Sequence, residues 1–150
     1  LELQTGGDIN KAFELANIYR GMNLMPMFDS LTQRILQQPD LPPQFIIEIA
    51  RMYAETQKLD LFINALELYV QRDPSQPRIW LDLAAAYASA QRRPDALSGL
   101  RRAIEIGGET SRDAARKDNR FDPLREIPEF RAIVPPIQPN AAMPMNLPLF

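Results

Sequence analysis

The sequence of 150 residues contains neither histidine nor cysteine. Histidine is the commonest general base, and the cysteine thiolate is both a nucleophile and a zinc ligand. Paired carboxylates such as Glu48 and Glu55 could exchange protons, but no other catalytic side chain converges on them. We therefore predict that the chain is not an enzyme and that it uses no cofactor and no metal. The lack of cysteine excludes disulfides and leaves the redox compartment undecided.

The sequence also lacks an excess of positive charge, because it contains 17 basic and 19 acidic residues. Proteins that bind nucleic acids or anionic membranes normally carry an excess of basic residues. No apolar run of the sequence approaches the roughly 18 residues that a membrane span requires. We predict no nucleic-acid partner, no membrane insertion of this segment, and a soluble domain that is cytoplasmic or periplasmic. Since the chain starts with Leu1 rather than Met, we expect it to be part of a longer protein; tethering through a preceding region is left open.

What the sequence does contain is an internal repeat. Tyr19, Tyr53 and Tyr87 are spaced by 34 positions. Three further columns share this spacing: Ala16, Ala50 and Ala84; Leu15, Ile49 and Leu83; and Ala12, Ile46 and Trp80. Four columns in register over three copies indicate a helical repeat architecture.

Each copy is predicted to form two helices. In the third copy Pro77 opens the first helix, the segment "QRRPDA" interrupts it, and Gly107 and Gly108 end the second helix. In the second copy Pro43 opens the first helix and "TQKLD" forms the turn. We predict one compact domain with a linker at 1–8 and three hairpins at 9–42, 43–76 and 77–108.

The period and the residue types resemble the tetratricopeptide repeat of bacterial proteins. The residues that carry the resemblance in the third copy are Trp80, Leu83, Ala84, Tyr87 and Ala96. The likeness covers about residues 9–108, and the first two copies depart from it with Phe28 and Phe62 in the column of Ala96. It implies an all-α fold, a right-handed α-α superhelix in which Trp80 and the three tyrosines fill the core rather than a cofactor box.

Two segments follow the repeats. Residues 109–134 are predicted to form a helical cap whose apolar set is Phe121, Leu124, Phe130 and Ile133. Residues 135–150 are rich in proline, free of charge and yet apolar. We expect this tail to lie on an apolar surface, either of its own molecule or of another one, in which case the chain would self-associate.

The resemblance further implies a concave face, lined by the first helix of each hairpin, that binds an extended peptide or a partner helix. Phe13, Ile47 and Leu81 form a fifth column that would make an apolar stripe there; the alternative is that they only pack neighbouring helices together. The predicted partner-binding residues are Phe13, Asn17, Arg20, Ile47, Arg51, Arg78, Leu81 and Ala85.

The carboxylate clamp that some members of the family use to grip chaperone C termini is not matched. Asn17 and Arg78 agree with it in kind, but Glu48 and Asp82 would repel a carboxylate. We predict a protein–protein interaction module within a larger bacterial protein. The alternative is a structural or self-association domain of a membrane or multidomain protein, with no groove ligand of its own.

The segment "GMNLMPMF" contains Met22, Met25 and Met27. Thioether side chains fill irregular gaps, and we predict that they fill a loosely packed first turn; an adaptable contact surface is the alternative.

Overall fold

The computed structural model describes residues 6–137, and these residues form helices and no β-strand. The helices are α1 (Gly6–Gly21), α2 (Met25–Leu36), α3 (Pro43–Glu55), α4 (Leu59–Arg72), α5 (Pro77–Ser89), α6 (Arg93–Lys117), a 3-10 helix (Asn119–Leu124) and α7 (Pro128–Ile133). The all-α prediction is confirmed. Pro43 and Pro77 begin their helices as expected, because a first-turn residue needs no amide hydrogen. Helix α1 begins at Gly6, inside the predicted linker at 1–8.

The contacts divide the chain into two compact units, where the sequence predicts one domain. Unit 1 extends to Pro74 and unit 2 begins at Ser75. Each unit has its own buried core, and the boundary falls between the second and the third copy of the repeat.

In unit 1 a buried contact joins the two hairpins. The Tyr53 ring of α3 lies edge-on to Phe28 of α2, with ring centroids 6.1 Å apart. The Tyr53 hydroxyl donates to Thr32 Oγ1 at 2.6 Å, and Thr32 Oγ1 donates to the Phe28 carbonyl oxygen at 2.9 Å. All three side chains are completely buried. The Lys58 ammonium reaches Asp29 of α2 at 3.0 Å beside them.

The 34-residue period recurs in the backbone of the three hairpin turns. Asn23, Gln57 and Gln91 all have left-handed φ angles, of 58°, 58° and 60°. In each turn the backbone amide of the next residue donates a hydrogen bond to the tyrosine five positions before it. The acceptors are the carbonyl oxygens of Tyr19, Tyr53 and Tyr87, at 2.8 to 2.9 Å. This arrangement satisfies the last carbonyl groups of a helix, and glycine usually provides it. The polar residues that replace glycine explain why the turns are weakly marked in the sequence.

In unit 2 helices α5 and α6 approach closely through small residues. A Cβ atom placed on Gly99 would lie 3.1 Å from the Cβ atom of Ala84. Trp80, which the sequence predicts in the core, is half-buried, and the Arg102 guanidinium lies 5.9 Å from its ring centroid. Tryptophan is large, so it is rarely buried completely. Tyr19 and Leu15 of unit 1 are likewise half-buried, in contrast to Tyr53.

The segment after the third copy folds as a cap on unit 2. Its backbone leaves the helical region at Gly108 (φ 62°, ψ −143°), after which α6 continues to Lys117. The 3-10 helix lies against α5 and α7 lies against α6. The cap's large buried side chains are Phe121, Leu124, Phe130 and Val134, and Ser111 and Ala115 are buried as well. Ile133 is half-buried, so Val134 takes the place predicted for it.

An ion-pair bridge fixes the cap to α5. Asp118 accepts a hydrogen bond from the Arg120 amide, and the Arg120 guanidinium contacts both Asp118 at 2.6 Å and Asp82 of α5 at 3.1 Å. The hydrogen bonds from Arg120 hold the pKa of Asp118 below its ordinary value. Asp82 thus has a structural partner. The tail predicted at 135–150 lies outside the described residues beyond Ile137.

The backbone at Gly108 permits a sharp test. Replacing Gly108 with alanine should destabilise the protein by about 1–3 kcal/mol, since that combination of φ and ψ is almost restricted to glycine. Gly21→Ala is the matched control, because the added methyl group would meet no atom within 4 Å beyond its own helix backbone and chain neighbours, and the residue is helical. It should stabilise by up to about 1 kcal/mol. Urea unfolding of both variants measures the difference. Equal effects would contradict the assigned break.

Tyr53→Phe should reduce stability by about 1 kcal/mol at neutral pH, since it removes the hydrogen bond to Thr32. Burial raises the pKa of Tyr53 above the ordinary value of about 10, so the folded state disfavours the phenolate. The contribution of the neutral Tyr53 hydroxyl to stability is present below pH 10. It is lost as the pH rises further, because Tyr53 ionises at a lower pH in the unfolded chain than in the folded one. The stability difference between wild type and variant should therefore shrink above pH 10. Tyr19→Phe, at the half-buried equivalent position, should show a smaller loss at neutral pH.

Candidate functional site

The column predicted to form an apolar stripe is largely buried. Phe13 and Leu81 are 8% and 6% exposed, and the Phe13 ring packs on Phe45 of α3 with centroids 5.4 Å apart. Ala85 is 2% exposed. The assignment of these three residues to a partner surface is therefore wrong, because their side chains are used within their own units. Packing, the alternative left open by the sequence, accounts for them.

Ile47 and Arg51 do come together, at an open cavity of about 540 Å³ in unit 1. Its walls are one face of α3 and the end of α4. The lining residues are Pro43, Gln44, Ile47, Glu48, Arg51, Tyr69 and Asp73. Ile47 is half-buried and lies one helical turn from the exposed Arg51 on the same face. This cavity is the candidate functional site.

The polar groups of the cavity are of both signs. The side chains of Arg51 and Glu48 are exposed and form no hydrogen bond or ion pair with any other residue in the described part of the chain. On the opposite wall the Tyr69 hydroxyl lies 3.5 Å from the Asp73 carboxylate. Burial, followed by the charge of Asp73, raises the pKa of Tyr69. Tyr69 therefore remains a neutral hydrogen-bond donor at physiological pH.

The sequence did not indicate the α4 wall. Tyr69 lies 34 positions after Ile35 and 34 before Ala103, both completely buried, and it is itself only 9% exposed. Asp73 follows the last residue of α4, where no periodic pattern constrains it. The one sequence signal for the cavity is Gln44, a polar residue about one helical turn before Ile47 near the start of α3.

The remaining predicted residues lie apart from this cavity. Asn17 accepts a hydrogen bond from Arg20 at 3.1 Å, and the Arg20 guanidinium also pairs with Glu55 of α3. Arg20 is therefore used to join α1 and α3 at an exposed edge of unit 1. Arg78 is exposed on α5 in unit 2.

The methionine segment is a surface rather than a filled gap. Among the described residues of unit 1, the exposed large apolar side chains are Ile18, Met22, Leu24 and Met27, with exposed fractions of 55%, 65%, 36% and 48%. The gap-filling prediction is wrong for Met22 and Met27, while Met25 is half-buried. The position of these side chains at the α1–α2 turn leaves them without a covering helix in the described chain.

A larger open cavity, of about 770 Å³, lies in the cap of unit 2. It is lined by Arg116, Lys117, Asn119, Arg125, Glu126, Phe130, Arg131, Val134, Pro136 and Ile137. Its guanidinium groups are already engaged: Arg116 donates to the Pro135 carbonyl oxygen at 2.8 Å, and Arg131 pairs with Glu126 at 2.6 Å. These contacts hold the cap together and reduce the cavity's capacity for an anionic ligand.

No known protein family, curated protein or solved structure matches this chain. Within residues 6–137, no helix is long and apolar enough to cross a membrane. The functional assignment therefore depends on the geometry of the sites themselves.

Phe13 and Ile47 share a column of the repeat but lie in different environments, so their substitution should change stability by different amounts. Phe13→Ala should destabilise by about 3–5 kcal/mol, since it removes a buried ring that contacts Phe45. Ile47→Ala should cost clearly less, because its side chain borders the open cavity. Chemical denaturation measures both. A larger loss for Ile47→Ala would place Ile47 in the core and remove it from the site.

Proposed function

We propose that the chain is a protein–protein interaction module that binds a peptide segment of its partner in the α3 cavity of unit 1. The observation that carries this proposal is the cavity of about 540 Å³ in which half-buried Ile47 adjoins exposed Arg51. In this proposal the three hairpins are tetratricopeptide-like repeats that continue into a right-handed superhelix.

The chemistry of the cavity favours an extended peptide with one apolar side chain. That side chain would cover Ile47 and the ring of Tyr69, which removes apolar surface from water. Arg51 and Gln44 would bond to the carbonyl oxygens of the peptide, and Glu48 to its amide groups. Charges of both signs at the rim favour a partner segment of mixed charge over a purely acidic one.

The second candidate function is structural: the domain associates with other chains and binds no groove peptide. The exposed apolar cluster at the α1–α2 turn favours it, because patches of this kind mark contact surfaces. It predicts that Ile47 and Arg51 can be changed without loss of any partner.

The test is a selection of peptides from a random display library on the purified chain. Selected peptides are measured by calorimetry against wild type, Ile47→Glu and Arg51→Glu. Both substitutions should weaken binding at least tenfold, since one places a charge on the apolar floor and the other reverses the charge at the rim. Asn64→Glu, at an exposed position of α4 outside the cavity, is the control and should bind as wild type does.

Circular dichroism establishes that each variant remains helical. Peptides that bind wild type, Ile47→Glu and Arg51→Glu equally well would move the site away from α3. A failure to select any peptide, together with concentration-dependent dimers in sedimentation, would favour the structural function.

A further inference from the structure

The α3 cavity of unit 1 carries more negative than positive charge on its walls. Two carboxylates, those of Glu48 and Asp73, line it together with one guanidinium, that of Arg51. The other lining side chains are uncharged at physiological pH. Because a concave surface concentrates the field of the charges that line it, this composition attracts a cation more strongly than an anion.

The two charged side chains of α3 do not neutralise each other. Glu48 and Arg51 have opposite charge and lie three positions apart, a spacing at which side chains of one helix can pair. In unit 2 the same spacing closes five ion pairs, namely Arg92–Asp95, Arg102–Glu105, Glu109–Arg112, Asp113–Arg116 and Asp122–Arg125. Glu48 and Arg51 are exposed and form no ion pair with any residue of the described chain. Each can therefore receive a ligand group of opposite charge.

The negative charge lies toward one end of the cavity. Helices α3 and α4 are joined by the short turn at 56–58, so they run antiparallel and the end of α4 lies beside the start of α3. A hydrogen bond of 2.8 Å from Arg72 Nη1, at the end of α4, to the Leu41 carbonyl oxygen agrees with this placement. Asp73 follows directly, whereas Arg51 lies about 4.5 Å farther along α3 than Glu48. The two carboxylates therefore lie on the side of the cavity away from Arg51.

We propose that the peptide bound in the α3 cavity carries a lysine or arginine two positions from the apolar residue that covers Ile47, and that this basic residue pairs with Glu48. The proposal rests on the peptide-binding function proposed above and specifies its ligand.

The spacing follows from the geometry of an extended peptide. Its side chains alternate between two sides, so residues two positions apart point to the same side, about 6.6 Å from each other. Ile47 and Glu48 are adjacent on α3 and both line the cavity, so two side chains on one side of the peptide can reach them together. A carboxylate accepts several hydrogen bonds, so Glu48 can accept from the basic side chain as well as from a peptide amide. The charge of Asp73 on the opposite wall adds to the attraction.

Segments of this chain itself fit the site less well. Residues 1–5 and 138–150 contain no lysine or arginine, so neither segment can supply the basic group. All 17 basic residues of the chain lie within residues 6–137, where a second copy holds them in its own helices and turns. An extended segment of a partner protein meets the requirement without unfolding.

The first test is a parallel selection from one random display library on wild type, Glu48→Lys and Glu14→Lys. Glu14 is exposed on α1 and does not line the cavity, so Glu14→Lys is the matched control for charge reversal. Peptides selected on wild type and on Glu14→Lys should be enriched in lysine or arginine two positions from an apolar residue. Peptides selected on Glu48→Lys should instead carry aspartate or glutamate at that position.

Calorimetry then measures the ion pair directly. The tightest wild-type peptide is compared with the same peptide in which norleucine replaces the lysine, or citrulline the arginine, which removes the charge and keeps the length. The uncharged peptide should bind wild type and Glu14→Gln about threefold more weakly or worse, and this difference should shrink at high salt. On Glu48→Gln the two peptides should bind equally, because the carboxylate is gone. Circular dichroism verifies the fold, and Glu48→Gln gives the answer if Glu48→Lys is unfolded.

The outcomes separate this inference from the peptide-binding function. Selected peptides that no longer bind Ile47→Glu but show no enrichment in basic residues would overturn the inference alone. So would an unchanged charge preference on Glu48→Lys, or equal binding of the charged and uncharged peptides to wild type. A wild-type chain that selects no peptide would overturn the peptide-binding function and this inference together.

Discussion

The buried contact between Tyr53, Thr32 and Phe28 is the interaction on which the organisation of unit 1 depends. It joins two hairpins that are each local in sequence, and it combines an edge-on ring pair with a hydrogen bond in a site closed to water. A ring pair of this geometry contributes about 0.5–1.5 kcal/mol beyond its buried area. The hydroxyl needs a partner once it is buried, so Thr32 fixes the register of α2 against α3 as well as stabilising it.

The turns determine where such contacts can form. A left-handed residue occupies the same place in each of the three hairpin turns, and the accompanying hydrogen bonds are nearly equal in length. Non-glycine residues in this conformation carry some strain, which asparagine tolerates best. That the chain keeps the conformation with Gln57 and Gln91 indicates that packing of the hairpins, rather than local preference, holds the turns.

The sequence predicted the helices well and the site poorly, for physical reasons. Helical periodicity and the prolines at 43 and 77 mark elements locally, so α3 and α5 begin where expected. Exposure is different, because it depends on which neighbour covers a face. Phe13 and Ile47 share a column, yet Phe13 packs on Phe45 while Ile47 borders a cavity with Tyr69. Asp73 could not be identified at all, since it follows α4 without a pattern.

The same dependence on neighbours gives the copies different roles despite a shared period. The same repeated position can be buried in one copy and exposed in another, as Met52 is buried and Ile18 is exposed although both are apolar. A neighbouring column differs too, because Lys58 pairs with Asp29 of α2 whereas Leu24 exposes an apolar side chain at the equivalent position. The copies therefore differ in surface chemistry without any change in the backbone that all three hairpin turns share.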